Sequence, residues 1–499
     1  METKDLLLNL ISLTGVYGLC IVAWLSSENK KNIPWDTIKW GLGTQFLIGF
    51  LIFVIPAVRD SVIILNNMLN FLMDASEAGA RFLFGSMFVP PVGTNTVDLF
   101  DQVTNSADLS QLVNKVDPKP YETVQNPKYH FNMKTLNFGF VFAFRSLPQV
   151  IFFSAILGLL YRMNVIQPFV NFLAKIVNRT MNVSGAESLA GSANIFVGIE
   201  SIVAIKPYLG TMTRSELCAI LASCFGSISS SMLAMYSGFL KTTFPSITGH
   251  LVSASLLTIP ACFVMAKIIV PEEGVPETMG GVPQEEVDPN EKKPSHMDAL
   301  IVGALDGVKM IAGIAAVLIA ILGCVELLNM TFTSLGNMVL IQDNPTDSTI
   351  TLMFHKLGRG IGWVFRYISL DNIFGVIFFP LTLLTGVSLE IGEIWQASVL
   401  IGQRVLQTSI TPYKALGKLS IDGKISERAM LIVSYVLCGF AHIPSIGIFV
   451  GGLSNMVPER SGEVSSIAWR SLWAATLATL MTGCVAGIFY FGQGSALGK

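Results

Sequence analysis

The sequence predicts an all-α polytopic membrane protein. Of its 499 residues, 52% are hydrophobic and only 13% are charged, and the mean hydropathy is +0.60. Soluble globular domains carry about 25% charged residues, so this composition argues against that class. Apolar runs long enough to cross a bilayer recur along the chain, and two further apolar segments are interrupted by polar residues. Such interruptions are tolerated at bilayer depth where the backbone lines a cavity or an ion path.

About eight transmembrane helices are expected from length and hydropathy. The first apolar run follows a single lysine and has no small-residue cleavage site, so we expect a retained span rather than a signal peptide. Lysine and arginine clusters fall on one side of the spans, which the positive-inside rule makes cytoplasmic. We therefore expect a multi-pass protein of the plasma membrane or bacterial inner membrane with both termini outside. The predicted spans are Leu6–Leu25, Trp40–Val58, Phe142–Leu160, Leu217–Met235, Leu251–Ile269, Leu300–Leu328, Ala429–Leu453 and Ser471–Phe491.

The connections between spans divide the chain into predicted regions. Residues 61–85 are amphipathic, which predicts an interfacial helix. A polar stretch predicts an external loop, and a stretch rich in Pro, Glu and Gly predicts a cytoplasmic linker. The regions are 1–86 (transmembrane helices at 1–58 and the interfacial helix at 59–86), 87–135 (external loop), 136–271 (span, first hairpin and broken helix), 272–296 (linker), 297–375 (long scaffold helix and outer loop) and 376–499 (second hairpin, broken helix and last span).

Two half-length segments predict re-entrant hairpins, in which a helix enters the membrane and turns back. Ser188–Ile205 contains Asn194 and Glu200. Ser398–Pro412 contains Arg404, which is expected to neutralise an acidic neighbour. Each hairpin is followed by Pro-Tyr, then Ser-Glu, then an apolar span that is itself broken. This order indicates an inverted structural repeat, and transporters built in that way bind substrate at the repeat interface.

The two broken spans carry polar groups suited to a transport site. In the first, Gly226 and Ser227 weaken the helix and supply hydroxyl and carbonyl oxygens for a hard monovalent cation. Serines in membrane helices also bond to their own helix carbonyls or allow close helix packing, so a structural role stays open. In the second, Pro444 removes a helix hydrogen bond beside His442 and Ser445, which favours a site over a buried structural histidine.

Other classes of function find little support. The net charge of −2 and the scattered Lys and Arg residues do not indicate nucleic-acid binding. The seven cysteines form no CxxC pair, and the five histidines are far apart, so neither a disulfide framework nor a metalloprotease motif is predicted. No Gly-rich phosphate-binding loop ends in Lys-Ser/Thr, which argues against an enzyme or an ATP-driven pump.

A series of ordered motifs surrounds the two hairpins. They are Ser184–Leu189, Ala193–Gly198, Lys206–Leu209, Met212–Leu217, Cys438–Ala441, Ser445–Ile448 and Gly451–Leu453. In this order they resemble the concentrative nucleoside transporter family. The resemblance implies a homotrimer, in each protomer of which a transport domain moves against a scaffold domain. It also implies symport driven by a sodium gradient, with sodium as the coupling ion and no other cofactor.

The resemblance implies a sodium site between the first hairpin tip and the broken span that follows it. The matching ligands in this chain are Asn194, the carbonyl of Val197, Ser227 and the carbonyl of Ile228. These groups offer neutral oxygens, which suit a hard cation.

At the first hairpin tip the chain departs from the family pattern for substrate binding. The family has Gly-Gln-Thr-Glu, which holds the nucleobase. Here Gly198 is followed by Ile199 and Glu200, so the carboxylate is kept and the glutamine is absent.

The second hairpin and its broken span depart further. The family's Asn-Glu pair, whose Glu binds ribose hydroxyls, falls on Thr408 and Ser409. The family's Phe-Ala-Asn becomes Phe440, Ala441 and His442, with a serine at 445. Loss of a buried carboxylate that bonds two hydroxyls is expected to weaken ribose recognition.

We therefore expect a sodium-coupled importer of nucleosides or close nucleoside-like solutes. The implied substrate site places Glu200 on the base and Ser409, His442 and Ser445 on the polar part, with further contacts from Ile199, Thr408 and Phe440. Two alternatives stay open. One is a cation-coupled transporter of a different small polar solute, and the other is a membrane sensor that keeps the fold without transport.

Overall fold

The computed structural model is helical over most of the residues that it describes. These are residues 3–55, 71–72, 74–86, 88–89, 97–98, 136–137, 142–163, 165, 167–228, 233, 236, 239–240, 243–279, 281, 295–340, 349–366 and 369–491. Within these ranges the extended segments are Val97–Asp98 and Leu136–Asn137, which pair in parallel. The predicted all-α fold class is confirmed.

The helices differ widely in length, and the shortest α-helices lie where the sequence predicts hairpins and broken spans. The described α-helices are α1 (Thr3–Leu25), α2 (Trp35–Val54), α3 (Phe142–Arg162), α4 (Gln167–Met181), α5 (Gly185–Val197), α6 (Arg214–Gly226), α7 (Ile247–Ile269), α8 (His296–Asn337), α9 (Thr349–Arg366), α10 (Leu370–Leu384), α11 (Ile391–Leu406), α12 (Ile410–Ile421), α13 (Glu427–Leu437), α14 (Ile443–Met456) and α15 (Ser461–Ile488). The 3₁₀ helices are Gly198–Tyr208, Met338–Leu340 and Pro458–Arg460.

Four helical segments in the described ranges are long and apolar enough to cross a bilayer. They are Asp5–Leu25, Trp35–Val54, Ile247–Ile269 and Pro458–Ile488. The last two form the core, since 94% and 89% of their apolar windows are buried, against 39% and 33% for the first two. Helices α1, α2, α6 and α13 all pack on this central pair. The exposed residues of α1 and α2 are largely apolar, which fits a multi-pass membrane protein.

Two of the predicted spans are interrupted helices in the structure. The segment Leu217–Met235 begins within α6, which ends at Gly226. The segment Ala429–Leu453 is divided between α13 and α14, and residues 438–442 lie outside both helices. The first interruption follows Gly226, whereas the second precedes Pro444, which lies in the first turn of α14, where a proline is tolerated.

The region 297–375 contains more helix than the sequence predicts. Helix α8 continues to Asn337, past the expected end of the span at Leu328. Helix α9 and the first turn of α10 occupy residues for which the sequence predicts an outer loop. Helix α9 is amphipathic, and its apolar residues recur at intervals of three or four among polar ones. An average hydropathy hides this periodicity, which explains why the prediction was wrong here.

The predicted connections are described only in part. Within the expected interfacial helix at 59–86, residues 71–72 and 74–84 are helical. Of the expected external loop at 87–135, only residues 88–89 and 97–98 are described, so this prediction lies outside the described residues. The expected linker at 272–296 is described at 272–279, 281 and 295–296.

The chain divides into two compact units. One comprises Met1–Asn66, Val165–Glu291 and Gly313–Lys499, and the other comprises Asn67–Asn164 and Lys292–Ala312. All the residues of the expected sodium and substrate sites belong to the first unit. In the second unit, α3 and the beginning of α8 approach closely at glycines: a Cβ at Gly303 would lie 2.5 Å from the Ser154 carbonyl oxygen.

A buried ion pair fixes the start of the first predicted hairpin. Ser184 and Glu187 form a capping box, in which the Glu187 N–H donates to Ser184 Oγ (3.2 Å) and the Ser184 N–H donates to Glu187 Oε2 (2.7 Å). Lys267, near the end of α7, places its Nζ 2.6 Å from Glu187 Oε1 and 3.0 Å from Glu272 Oε2. The hairpin is therefore anchored to the central helix pair by charge as well as by packing.

Replacing Lys267 by methionine is expected to lower the free energy of unfolding by about 3–5 kcal/mol, because Glu187 would stay buried without its partner. The double variant Glu187→Gln/Lys267→Met should recover part of this loss, since no buried carboxylate remains. Denaturant unfolding of the purified protein in detergent measures both. Equal stability of the single and double variants would contradict the role of the pair.

Candidate functional site

The first predicted hairpin begins with α5 and continues directly into a 3₁₀ helix, Gly198–Tyr208. That 3₁₀ helix is 11 residues long, whereas runs beyond about four residues are uncommon and mark functional segments. Helix α5 packs closely on α7, because a Cβ at Gly191 would lie 2.5 Å from Phe263 Cζ. Asn194 is fully buried, and its Nδ2 donates to Ser223 Oγ of α6 at 3.4 Å.

The first helix break follows α6. Ser227 has φ −86° and ψ 166°, so the chain leaves the helix in an extended conformation. The last carbonyls of α6 therefore lack the partners of a continuing helix. Gly226 has no space for a side chain, since a Cβ there would lie 2.3 Å from Cys262 Sγ of α7. A glycine at this position lets α6 end against the core.

The second helix break separates α13 from α14. Gly439 has φ +135°, a conformation that favours glycine. His442 is the N-cap of α14: its Nδ1 accepts a hydrogen bond from the Ser445 N–H at 3.1 Å. The Ser445 hydroxyl contacts the Phe440 and His442 carbonyls. Since Nδ1 accepts a hydrogen bond, the neutral His442 ring carries its proton on Nε2 and can donate from that atom.

The two breaks meet through their backbones. The Phe440 N–H donates to the Ser227 carbonyl at 3.3 Å. A Cβ at Gly439 would lie only 2.5 Å from the Gly226 carbonyl oxygen, so no other residue fits without backbone movement. The rings of Phe225 and Phe449 pack edge to face at 5.0 Å beside this contact. The sequence predicts each break, and the structure brings them together.

The second predicted hairpin reaches the second break. Helices α11 and α12 are separated at residues 407–409, and Ser409 is fully buried there. Its Oγ donates to the Gly439 carbonyl at 3.0 Å. Thr408 is half-buried beside it. Phe440 is also half-buried, and its ring lies edge-on to His442 with the centroids 5.8 Å apart. Four of the expected substrate residues therefore lie where the second hairpin meets the second break. They are Thr408, Ser409, Phe440 and His442.

Two oxygens of the expected sodium site are buried without a hydrogen-bond donor among the described residues. They are Asn194 Oδ1 and Ser227 Oγ. An unsatisfied buried polar atom destabilises the folded state by about 1–3 kcal/mol, so such atoms require an explanation. Neutral oxygens of this kind are ligands of hard cations. The residues present therefore fit a sodium ion.

Arg404, which is expected to neutralise an acidic neighbour, binds neutral groups in the structure. Its side chain is completely buried in the second hairpin. Nη1 donates to the Val436 carbonyl and, at 2.9 Å, to Thr479 Oγ1 of α15. Among the described residues, no acidic group pairs with it, so the expected acidic neighbour is wrong there. The guanidinium instead binds the carboxyl end of α13, where a positive charge is favourable. No local sequence pattern indicates this role, because Arg404 and Val436 lie 32 positions apart in the chain.

Three of the remaining expected site residues are described only through their backbone. The side chains of residues 195–200 lie outside the described residues, and these include Val197, Ile199 and Glu200. Their backbone follows the end of α5 and the start of the 3₁₀ helix. Ile228 is buried in the first break. The roles of Glu200 and Ile199 stay predictions.

Comparison with known families covers nearly the whole chain. Residues 14–87 match the family described as "Na+ dependent nucleoside transporter N-terminus", and residues 250–487 match its "C-terminus". Between them, residues 143–243 match the gate family described as "Nucleoside recognition". The chain belongs to the concentrative nucleoside transporter family. It is a member of a transporter family and not an enzyme, and sodium fits as the coupling ion of that family.

Relatives that match nearly the whole of this chain support the assignment. An uncharacterized transporter of Haemophilus influenzae is 29% identical over 98% of this chain and 99% of its own length. Solute carrier family 28 member 3 of Homo sapiens is also 29% identical, over 96% of this chain and 60% of the relative. Sodium/nucleoside cotransporter 1 of Oryctolagus cuniculus is 28% identical, over 97% of this chain and 64% of the relative. This family member thus spans less than two thirds of these mammalian relatives.

Solved structures confirm the family fold. The structure of CNTnw in an inward-facing, substrate-bound state is 26% identical and has a TM-score of 0.69, covering 97% of this chain and 98% of that one. An intermediate state of a CNTnw variant gives a TM-score of 0.73 at 26% identity, covering 96% of this chain and 99% of that one.

Replacing Gly439 by alanine is expected to abolish most transport and to destabilise the protein by about 1–3 kcal/mol, because both the positive φ and the contact with the Gly226 carbonyl exclude a Cβ. Gly451→Ala is the matched control, since a Cβ there meets no atom within 4 Å. Solute uptake and thermal unfolding measure the two effects. Normal uptake by Gly439→Ala would contradict the close contact of the breaks.

Proposed function

We propose that this chain is a secondary active symporter that imports nucleosides, or close nucleoside-like solutes, with a sodium gradient. The observation that carries the proposal is the meeting of both helix breaks with the second hairpin. Ser409 contacts Gly439, and Phe440 contacts Ser227. Broken helices at a repeat interface expose the backbone groups that bind substrates and ions in such transporters.

The sodium ion is assigned to the space between the first hairpin and the first break. Asn194 Oδ1 and Ser227 Oγ supply side-chain oxygens, and the carbonyls of Val197 and Ile228 complete the proposed ligand set. Both side-chain oxygens are buried and lack donors within the described part of the chain. Binding of the ion would satisfy them and would hold the hairpin against the break, which couples the ion to the shape of the substrate site.

The solute is assigned to the opposite side of the same contact. Glu200, beside Ile199, accepts hydrogen bonds from the base. His442 donates from Nε2, because its Nδ1 is occupied by the Ser445 N–H. Ser409 lies in the position of the family's ribose-binding carboxylate, with Thr408 before it. Its hydroxyl donates a hydrogen bond to the Gly439 carbonyl at 3.0 Å, so towards the solute it acts as an acceptor.

The hydroxyl of Ser409 in place of a carboxylate favours a second candidate function, a cation-coupled transporter of another small polar solute. A neutral hydroxyl acceptor replaces a carboxylate, and hydrogen bonds to charged groups contribute about 1.5–3 kcal/mol against about 1 kcal/mol for neutral ones. Recognition of a ribose diol is accordingly weaker than in relatives with the carboxylate. A solute with fewer hydroxyl groups loses less binding free energy when the carboxylate is replaced by a hydroxyl.

The proposed transport cycle is an elevator-like alternating access. The two hairpins are re-entrant, belong to an inverted repeat and move with the ion and solute between them. A homotrimer in the cell membrane, with both termini outside, completes the proposal. The family resemblance supports the trimer and the moving transport domain, and the one-sided Lys and Arg clusters support the placement of the termini.

Proteoliposomes that contain the purified protein are expected to accumulate radiolabelled uridine or adenosine when sodium is higher outside, and to lose this accumulation when potassium replaces sodium. The sodium gradient supplies the free energy, so equal sodium on both sides should permit only exchange. Accumulation of other polar solutes but not nucleosides would select the second candidate. Absence of any transport, with specific solute binding, would indicate a sensor.

Replacing Ser227 by alanine removes one proposed sodium ligand. We expect the sodium concentration for half-maximal uptake to rise about tenfold, which corresponds to a loss of about 1.4 kcal/mol in the free energy of sodium binding. Ser471→Ala is the matched control, because that buried hydroxyl donates to the Ile467 carbonyl of its own helix at 3.0 Å. Measuring uptake as a function of sodium concentration distinguishes the two variants. An identical sodium dependence for wild type and Ser227→Ala would exclude Ser227 as a ligand.

A further inference from the structure

A groove of about 730 Å³ lies between α1 and α2. Both helices pack on α7 and α15 rather than mainly on each other, which leaves a gap whose floor includes Ile268 of α7. The walls are mostly apolar, and binding sites for small molecules usually measure about 300–1,000 Å³. The size and the lining are therefore those of a ligand site.

The groove opens on the apolar surface of α1 and α2. Tyr17 and Ile21 line it and are 54% and 56% exposed. The same helices expose further large apolar residues along their length, including Leu10 and Leu47. Since α1 and α2 are both long and apolar enough to span a bilayer, this surface faces hydrocarbon rather than water. Acyl chains are the medium available to fill the groove.

One end of the groove has the composition of a membrane interface. Trp24 at the end of α1 and Trp35 at the start of α2 both line it, together with Lys39. Trp24 Nε1 donates to the Lys30 carbonyl at 3.0 Å, and Lys30 Nζ lies 5.9 Å from the Trp24 ring centroid. Tryptophan and lysine mark the headgroup level in membrane proteins. The other end, at Leu42 and Phe46, is apolar.

The charge at the interfacial end is positive. Lys30, Lys31 and Lys39 are exposed there, with Asp36 as an exposed acidic residue beside them. Glu28 in the same connection is already paired, with Arg214 Nη2 at 3.0 Å and Arg470 Nη1 at 2.7 Å. Glu273 accepts from Asn29. The excess positive charge suits a negatively charged headgroup.

We propose that the groove is a binding site for one phospholipid with an anionic headgroup. Its phosphate lies near Lys39 between the two tryptophans, and one acyl chain lies along Leu42, Gly43 and Phe46. The lipid fills the gap between α1 and α2 and holds both helices against the core. This inference does not depend on the solute or the coupling ion.

Gly43 offers a direct way to close the site. A Cβ at Gly43 meets no atom within 4 Å, so a larger side chain can enter the groove without a clash at its base. Native mass spectrometry of the full-length protein, taken from mixed phosphatidylglycerol and phosphatidylcholine bilayers, should show one retained phosphatidylglycerol per chain. Gly43→Phe is expected to reduce this species about tenfold. Leu47→Phe, at an exposed position of α2 that does not line the groove, should keep it.

A substitution of Lys39 tests whether the site prefers an anionic headgroup. Lys39→Gln is expected to lower the preference for phosphatidylglycerol over phosphatidylcholine about fivefold, as for loss of one basic group at an anionic surface. Lys175→Gln on α4 is the matched control, because it is exposed and does not line the groove. Equal lipid retention in wild type and Gly43→Phe, or equal loss in Leu47→Phe, would overturn the proposal in favour of unspecific surrounding lipid. A change of oligomeric state in Gly43→Phe without lipid loss would overturn it in favour of a second copy of the chain.

Discussion

The contact between the two helix breaks is the constraint on which the rest of the site depends. Backbone groups that leave a helix inside an apolar core must find partners, because water is excluded there. The Phe440 N–H meets the Ser227 carbonyl, and Gly439 lies against the Gly226 carbonyl. The second break therefore supplies a hydrogen-bond donor to a backbone carbonyl of the first break. The buried oxygens without donors near this junction, Asn194 Oδ1 and Ser227 Oγ, are the groups that we propose bind the ion.

The helix ends around this junction are stabilised individually. Arg404 binds the carboxyl end of α13 at the Val436 carbonyl, and His442 with Ser445 caps the amino end of α14. Positive charge at one end and acceptors at the other match the polarity of the helices. These contacts fix the break without filling it. The site is thus held in shape by backbone and capping interactions before any solute binds.

Most of the helical fold could be predicted from the sequence because hydropathy and glycine or proline act locally. The apolar run of α7 and the break after Gly226 are examples, since each depends on a few neighbouring residues. Helix α9 was missed because an amphipathic helix resembles a polar loop when hydropathy is averaged. The partner of Arg404 was missed because a guanidinium can bind carbonyls as well as carboxylates.

The sequence by itself determined the class of protein, the positions of the interruptions and the family motifs, because composition, helix-weakening residues and ordered motifs are properties of the chain alone. Only the tertiary structure decided that Ser409 contacts Gly439, that the breaks share a hydrogen bond, and that Asn194 Oδ1 and Ser227 Oγ are buried without donors among the described residues. These contacts join residues far apart in the chain. Their formation depends on how α6, α11 and α13 pack together, and no local pattern encodes that packing.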